Sequence, residues 1–200
     1  MPIPGSGTPY YKVSKGVPAA VVRSYKEPLY DADSVLAAAP ANEIELFQRP
    51  IGQATAAGVL KTLLFTNMRN AGQLGTPVSF DCWGFNLRYP KDVTLGNYNL
   101  LTTNGVFQFI IGTDSNYLTV PMEDIPSGVD SDAANSVAVS PHVGQGDTDN
   151  FYRFDVSGQA IHINSTESFR VRLSFPSGNA GITGDQLIRV YIRGILYKGI

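Results

Sequence analysis

Phe169-Arg170-Val171-Arg172-Leu173-Ser174-Phe175 alternates strictly between apolar and polar side chains. After a Pro-Ser-Gly-Asn-Ala-Gly turn region at 176–181 comes Leu187-Ile188-Arg189-Val190-Tyr191-Ile192-Arg193. Period-two alternation marks a strand with one face on a core and one in water. The two late segments therefore predict strands that close a β fold, with arginines on their outer faces.

Working backwards, further runs predict strands near 43–48, 60–66, 78–88, 106–112, 117–120, 151–155 and 159–163, beside 168–175 and 187–197. Asn70-Ala71-Gly72, Leu95-Gly96-Asn97, Thr103-Asn104-Gly105 and Ser157-Gly158 punctuate them. Strands separated by turns, with no helix-period segment between them, argue for an all-β antiparallel sandwich. The unequal connections, the longest at 121–150, suit the crossovers of a single jelly roll. A connection that long is usually functional or ordered by a partner.

Residues 1–40 differ from the body at 41–200. Pro2, Pro4, Pro9, Pro18, Pro28 and Pro40 interrupt them, which predicts an extended arm. Tyr10, Tyr11, Val13, Val21 and Val22 make that arm apolar enough to dock, on its own domain or on a neighbouring subunit. A short helix is expected at 33–39, with Asp33 or Ser34 as cap and Pro40 as stop.

Composition narrows the function classes. Only 16% of the 200 residues are charged, against about 25% in typical domains. Subunit contacts are depleted in Lys, Glu and Asp, so part of the nominal surface reads as contact surface. A formal net charge of −2 provides no global basic footprint for nucleic acid. The single cysteine, Cys82, rules out an internal disulfide and reads as a small core hydrophobe in Phe80-Asp81-Cys82-Trp83-Gly84-Phe85. Residues 1–7 lack the basic start and apolar run of a signal peptide, and no run is long enough for a membrane helix. A chain made soluble in the cytoplasm is the expectation.

Catalytic patterns are weak. His142 and His162 lack a nucleophile elbow and have no zinc spacing. Glu43, Glu45, Asp81 and Glu123 have no distinctive setting as paired carboxylates. Phosphate-cradling glycine motifs are missing. Asp147, Asp149 and Asn150 follow glycines in a run that could supply oxygens to Ca2+, although a solvated polar turn is the plainer reading and the closing glutamate of an EF-hand is missing. The expectation is thus no enzyme, no small-molecule substrate and no cofactor beyond that candidate calcium site.

Arg170, Arg172, Arg189 and Arg193 share an outward parity. If their strands pair directly, four guanidiniums form one face able to grip phosphates or carboxylates. Ion pairs with Asp or Glu, in the same subunit or a neighbour, are the plainer reading. A carbohydrate-binding sandwich, with Trp83, Tyr89, Tyr98 and Tyr117 as a stacking platform, is the alternative function.

With its apolar, Pro/Gly-punctuated arm, a β-sandwich body of this size, low charge and no catalytic motif, the chain resembles the single jelly-roll capsid proteins of viruses, including those of tailless bacteriophages. The resemblance implies a virion protein, made in the host cytoplasm, that assembles with copies of itself and with other virion proteins. The arm carries only Lys12, Lys15, Arg23 and Lys26 over residues 1–30, where many capsid arms are strongly basic. Nucleic-acid contact is therefore expected to be secondary, and apposition to an inner membrane fits better.

Overall fold

A computed structural model describes residues 22–38, 43–90, 92–112, 115–127, 129–130, 142–143, 151–153, 160–176 and 182–199. The described chain is dominated by two antiparallel sheets facing each other across an apolar core. One contains β1 (Val22–Tyr25), β2 (Leu29–Val35), β4 (Val78–Arg88), β9 (Tyr152–Arg153), β10 (Ile161–Ile163) and β12 (Gln186–Gly199). The other runs β3 (Glu43–Leu46), β11 (Phe169–Ser174), β5 (Val106–Ile111), β6 (Ser115–Pro121). A separate two-residue ladder joins β7 (Val129–Asp130) to β8 (His142–Val143).

β12 is the spine of the larger sheet. Along one side it pairs with β4 from Arg189 to Lys198. On the other it pairs with β2 and then β1, which form one edge strand interrupted at 26–28, where Pro28 cannot donate to a ladder. Likewise β9 and β10 lie end to end along β4. At Arg193/Gly194 the β12–β4 register slips by a bulge that leaves Trp83 of β4 unpaired.

Both late segments alternate as expected. Phe169, Val171 and Leu173 are buried between Arg170, Arg172 and Ser174, and Ile188, Val190 and Ile192 are buried between Arg189, Tyr191 and Arg193. Phe85 anchors the core, with its ring centroid 5.0 Å from that of Phe107 and 4.9 Å from that of Phe109. Cys82 is fully buried in the same core, and burial pushes its thiol well above the ordinary range.

Four expectations are corrected. Residues 22–25 and 29–35, assigned from sequence to the arm, are sheet strands. Of the helix expected at 33–39, residues 33–35 are instead the end of β2 and 36–38 are not helical, because pairing with β12 overrides the local capping pattern. The run 60–66 is turns with a single bridge between Ala54 and Leu60. Its inward residues are Lys61 and Thr66, and its leucines are exposed to solvent. Finally, Leu95-Gly96-Asn97 and Thr103-Asn104-Gly105 do not mark turns between strands; they are the two ends of α1 (Leu95–Asn104), whose N-cap Thr94 accepts from the Asn97 amide at 3.2 Å.

Candidate functional site

Where β2 meets β3, two of the inward-facing positions of β2, between Leu29 and Val35, are carboxylates. Asp31 and Asp33 are at most 1% exposed, and so is Lys61, which reaches them from the 47–68 connection. The Lys61 Nζ lies 2.8 and 2.9 Å from the two Asp31 oxygens and 3.6 Å from Asp33 Oδ2, which Arg49 also approaches at 3.3 Å. Backbone donors complete the set: the Phe47 amide bonds Asp31 at 2.6 Å and the Ala56 amide bonds Asp33 at 2.7 Å. Phe47 is turned to φ +69° to aim that amide. A bulky residue holds such a conformation only when its surroundings over-determine it. Burial lifts the Asp31 carboxyl above its usual range despite the pull of Lys61.

This buried cluster fastens the connection to the open edge of β2. Asn67 continues the fastening by accepting from the Tyr30 amide at 2.9 Å and donating to the Pro28 carbonyl at 2.9 Å. Further out, Tyr30 Oη donates to the Leu63 carbonyl at 2.5 Å and Arg189 Nη2 to the Leu64 carbonyl at 2.6 Å. The backbone is tied down on both sides while its apolar side chains are left in water. Leu64 is 76% exposed, Leu63 67%, Leu60 64% and Val59 50%. Four large apolar residues within six positions, on a backbone tied at both sides, make this exposure grouped rather than scattered.

The candidate arginines do not form one face, because β11 and β12 belong to different sheets. Arg172 lies 2.9 Å from Glu45 and 3.5 Å from Glu43, and Arg170 is 3.3 Å from Glu45. The Nε atoms of both arginines are within ion-pair range but off-line for hydrogen bonds. Glu43 and Glu45, with Asp33 and Arg49, line an open cleft of about 280 Å³. Each of these carboxylates has a cationic neighbour, so the cleft offers no uncommitted acid–base pair.

Arg189 and Arg193 instead stand on the outer face of the larger sheet, with a residue the sequence reading missed. Arg88 of β4 is directly opposite Arg189, and Tyr191 is opposite both Asn86 and Tyr30. The guanidinium carbons of Arg88 and Arg193 lie 5.3 and 5.1 Å from the Tyr191 ring centroid, and Arg189 Nη1 is 3.5 Å from the Tyr191 hydroxyl. Arg193 also donates to Asn86 at 3.1 Å. Only the outward parity of 88, read beside a pairing of β4 with β12, could have signalled Arg88.

Further along that face, Asp81 accepts from Tyr197 Oη at 2.8 Å and is 2.6 Å from His162 Nδ1. Burial, followed by the Asp81 carboxylate, pushes the Tyr197 phenol up to about 12. The folded protein therefore keeps this proton between pH 10 and 12, where the unfolded chain loses it. The stability it contributes is complete below pH 10 and is lost as pH rises through about 12. Replacing Asp81 with Asn is expected to return the Tyr197 titration toward 10, read as tyrosinate absorbance against a Tyr197→Phe control. An unmoved titration would show that the carboxylate is not a cause.

Of the arm residues, Tyr10, Tyr11, Val13 and Val21 lie outside the described residues, and Val22 begins β1. Asp147, Asp149 and Asn150 also lie outside them. Among the described residues no group of three His, Cys, Asp or Glu could hold a metal ion. The aromatic platform is not assembled: Tyr89 is buried edge-on against Tyr98 at 5.1 Å, and Tyr117 belongs to the other sheet. No protein-family model, curated protein or solved structure matches the chain.

Proposed function

We propose that this protein is a structural subunit: a single jelly roll that assembles with copies of itself, and with other proteins, into a virion shell. Nested pairing supports the jelly roll. Counting β1/β2 and β9/β10 as one strand each gives eight sandwich strands, in which first pairs with last (β2–β12), second with seventh (β3–β11), third with sixth (β4–β10) and fourth with fifth (β5–β6). Rolling up such a nested antiparallel hairpin produces the two sheets of this fold.

The observation that carries self-assembly is the fixed leucine surface at Val59, Leu60, Leu63 and Leu64. Apolar groups already held in place lose little conformational freedom on contact, so their burial converts into association with a small entropic penalty. Closed symmetry multiplies even a modest contact of this kind.

Sedimentation velocity across a concentration series tests the reading. The wild-type protein is expected to form discrete multimers or shells. The double variant Leu63→Asp/Leu64→Asp is expected to remain monomeric with an unchanged melting temperature, because neither side chain contributes to the core. A wild-type protein that stays monomeric at every concentration overturns the proposal.

A further inference from the structure

We propose that the outer face of the larger sheet binds single-stranded nucleic acid through Arg88, Arg189 and Arg193, with Tyr191 as the shared support. Arg88 and Arg189 are direct cross-strand partners, and like charges in that relation oppose each other. Among the described residues no Asp or Glu is ion-paired with either. The fold nevertheless brings Arg88, Arg189 and Arg193 to a single tyrosine, and the Arg88–Arg189 pair sets local positive charge on a protein of net charge −2. Arg153 of β9 extends the stripe, opposite Gly84 in the same register row as Arg193. An anion with several phosphates neutralises such a stripe.

Two features favour nucleic acid over an anionic lipid surface. The Arg88 and Arg193 guanidiniums lie over the Tyr191 ring, and cations grouped on an aromatic suit phosphates and stacked bases alike. Phe151, whose ring lies against Gly84 with the Arg153 guanidinium carbon 4.8 Å from its centroid, adds a second ring to the face on which bases can stack. Tyr30, with its ring centroid 5.9 Å from that of Tyr191, adds an aromatic neighbour at the edge. The leucine surface is not required, so the inference stands or falls separately from assembly.

Fluorescence anisotropy of a labelled oligothymidylate 20-mer with the full chain is the test. With about three phosphates neutralised, affinity is expected to fall roughly twentyfold between 50 and 200 mM salt. Arg88→Glu should weaken binding at least tenfold, whereas Arg69→Glu, the same charge change on an exposed loop residue outside the sheet face, should change it less than twofold. Melting curves of both variants check that the fold is kept. Absence of binding at 50 mM salt, or equal binding by wild type and Arg88→Glu, overturns the proposal. So does binding to phosphatidylserine vesicles without binding to the oligonucleotide, which assigns the face to lipid.

Discussion

Replacing Lys61 with methionine is expected to lower the unfolding free energy by about 3–5 kcal/mol, the usual consequence of removing one partner from a buried ion pair. Methionine nearly preserves the volume, so the loss reports charge and not a cavity. Asp31 and Asp33 would remain in a buried corner with backbone amides, Arg49 and the Thr66 hydroxyl as partners. The Asp31 carboxyl, raised by burial and no longer opposed by Lys61, would bind a proton more readily folded than unfolded, so the deficit should shrink as pH falls. The double variant Asp31→Asn/Lys61→Met removes one stranded charge but keeps an oxygen for the Phe47 amide, and should recover part of the loss. Urea unfolding of the three proteins measures all of this. A loss below about 1 kcal/mol for Lys61→Met would show that the corner is hydrated and that the fastening of the 47–68 connection has another cause.

Gly194→Ala is expected to cost about 3 kcal/mol, the upper part of the usual range for overpacking. A methyl at this position would run into the Asp81 carbonyl oxygen on the neighbouring strand and the rim of the Phe80 ring. The carbonyl belongs to the central β4, so relief requires moving backbone and not a side-chain tip. Gly194 lies at the β12–β4 register slip. Its φ is ordinary for any residue, so the penalty is steric. Gly58→Ala, which meets no neighbouring atom but has φ +79°, provides the contrast of a purely conformational penalty. Equilibrium unfolding separates the two, and a Gly194→Ala protein within about 0.5 kcal/mol of wild type would refute the close approach.

The strands that sequence revealed are those whose two faces differ. β11 and β12 alternate between core and solvent, β4 does so as far as Trp83, and β4 spans Val78–Arg88, the range expected from its residues. The edge strand formed by β1 and β2 was hidden because its inward positions include Asp31 and Asp33. Carboxylates contradict the strand pattern unless a cation meets them, and theirs arrives from Lys61, 30 residues away. α1 was hidden by its asparagines and threonines, which favour turns locally; Asn97 is buried there, bonded to Thr183 across the fold. For the arginines, periodicity gave the correct face and the wrong neighbours. Parity is a property of one strand, while adjacency depends on which sheet each strand joins. Arg170 and Arg172 thus face glutamates, and Arg189 and Arg193 share a face with Arg88.

The position of β12 has a consequence for biosynthesis. It separates β2 from β4 in the larger sheet, so neither can complete its ladder until residues 186–199 have been translated. While the ribosome works through the preceding chain, β2 and β4 hold open hydrogen-bonding edges beside an unfinished apolar core, a state prone to mispairing. Nearly all strand pairings of the nested order span long sequence separations, which places folding in the slow, millisecond-to-second class. Production of the folded protein would therefore be limited by how well the nascent chain is kept from other nascent chains, and a chaperone that shields strand edges would raise yield without touching the stability of the finished fold.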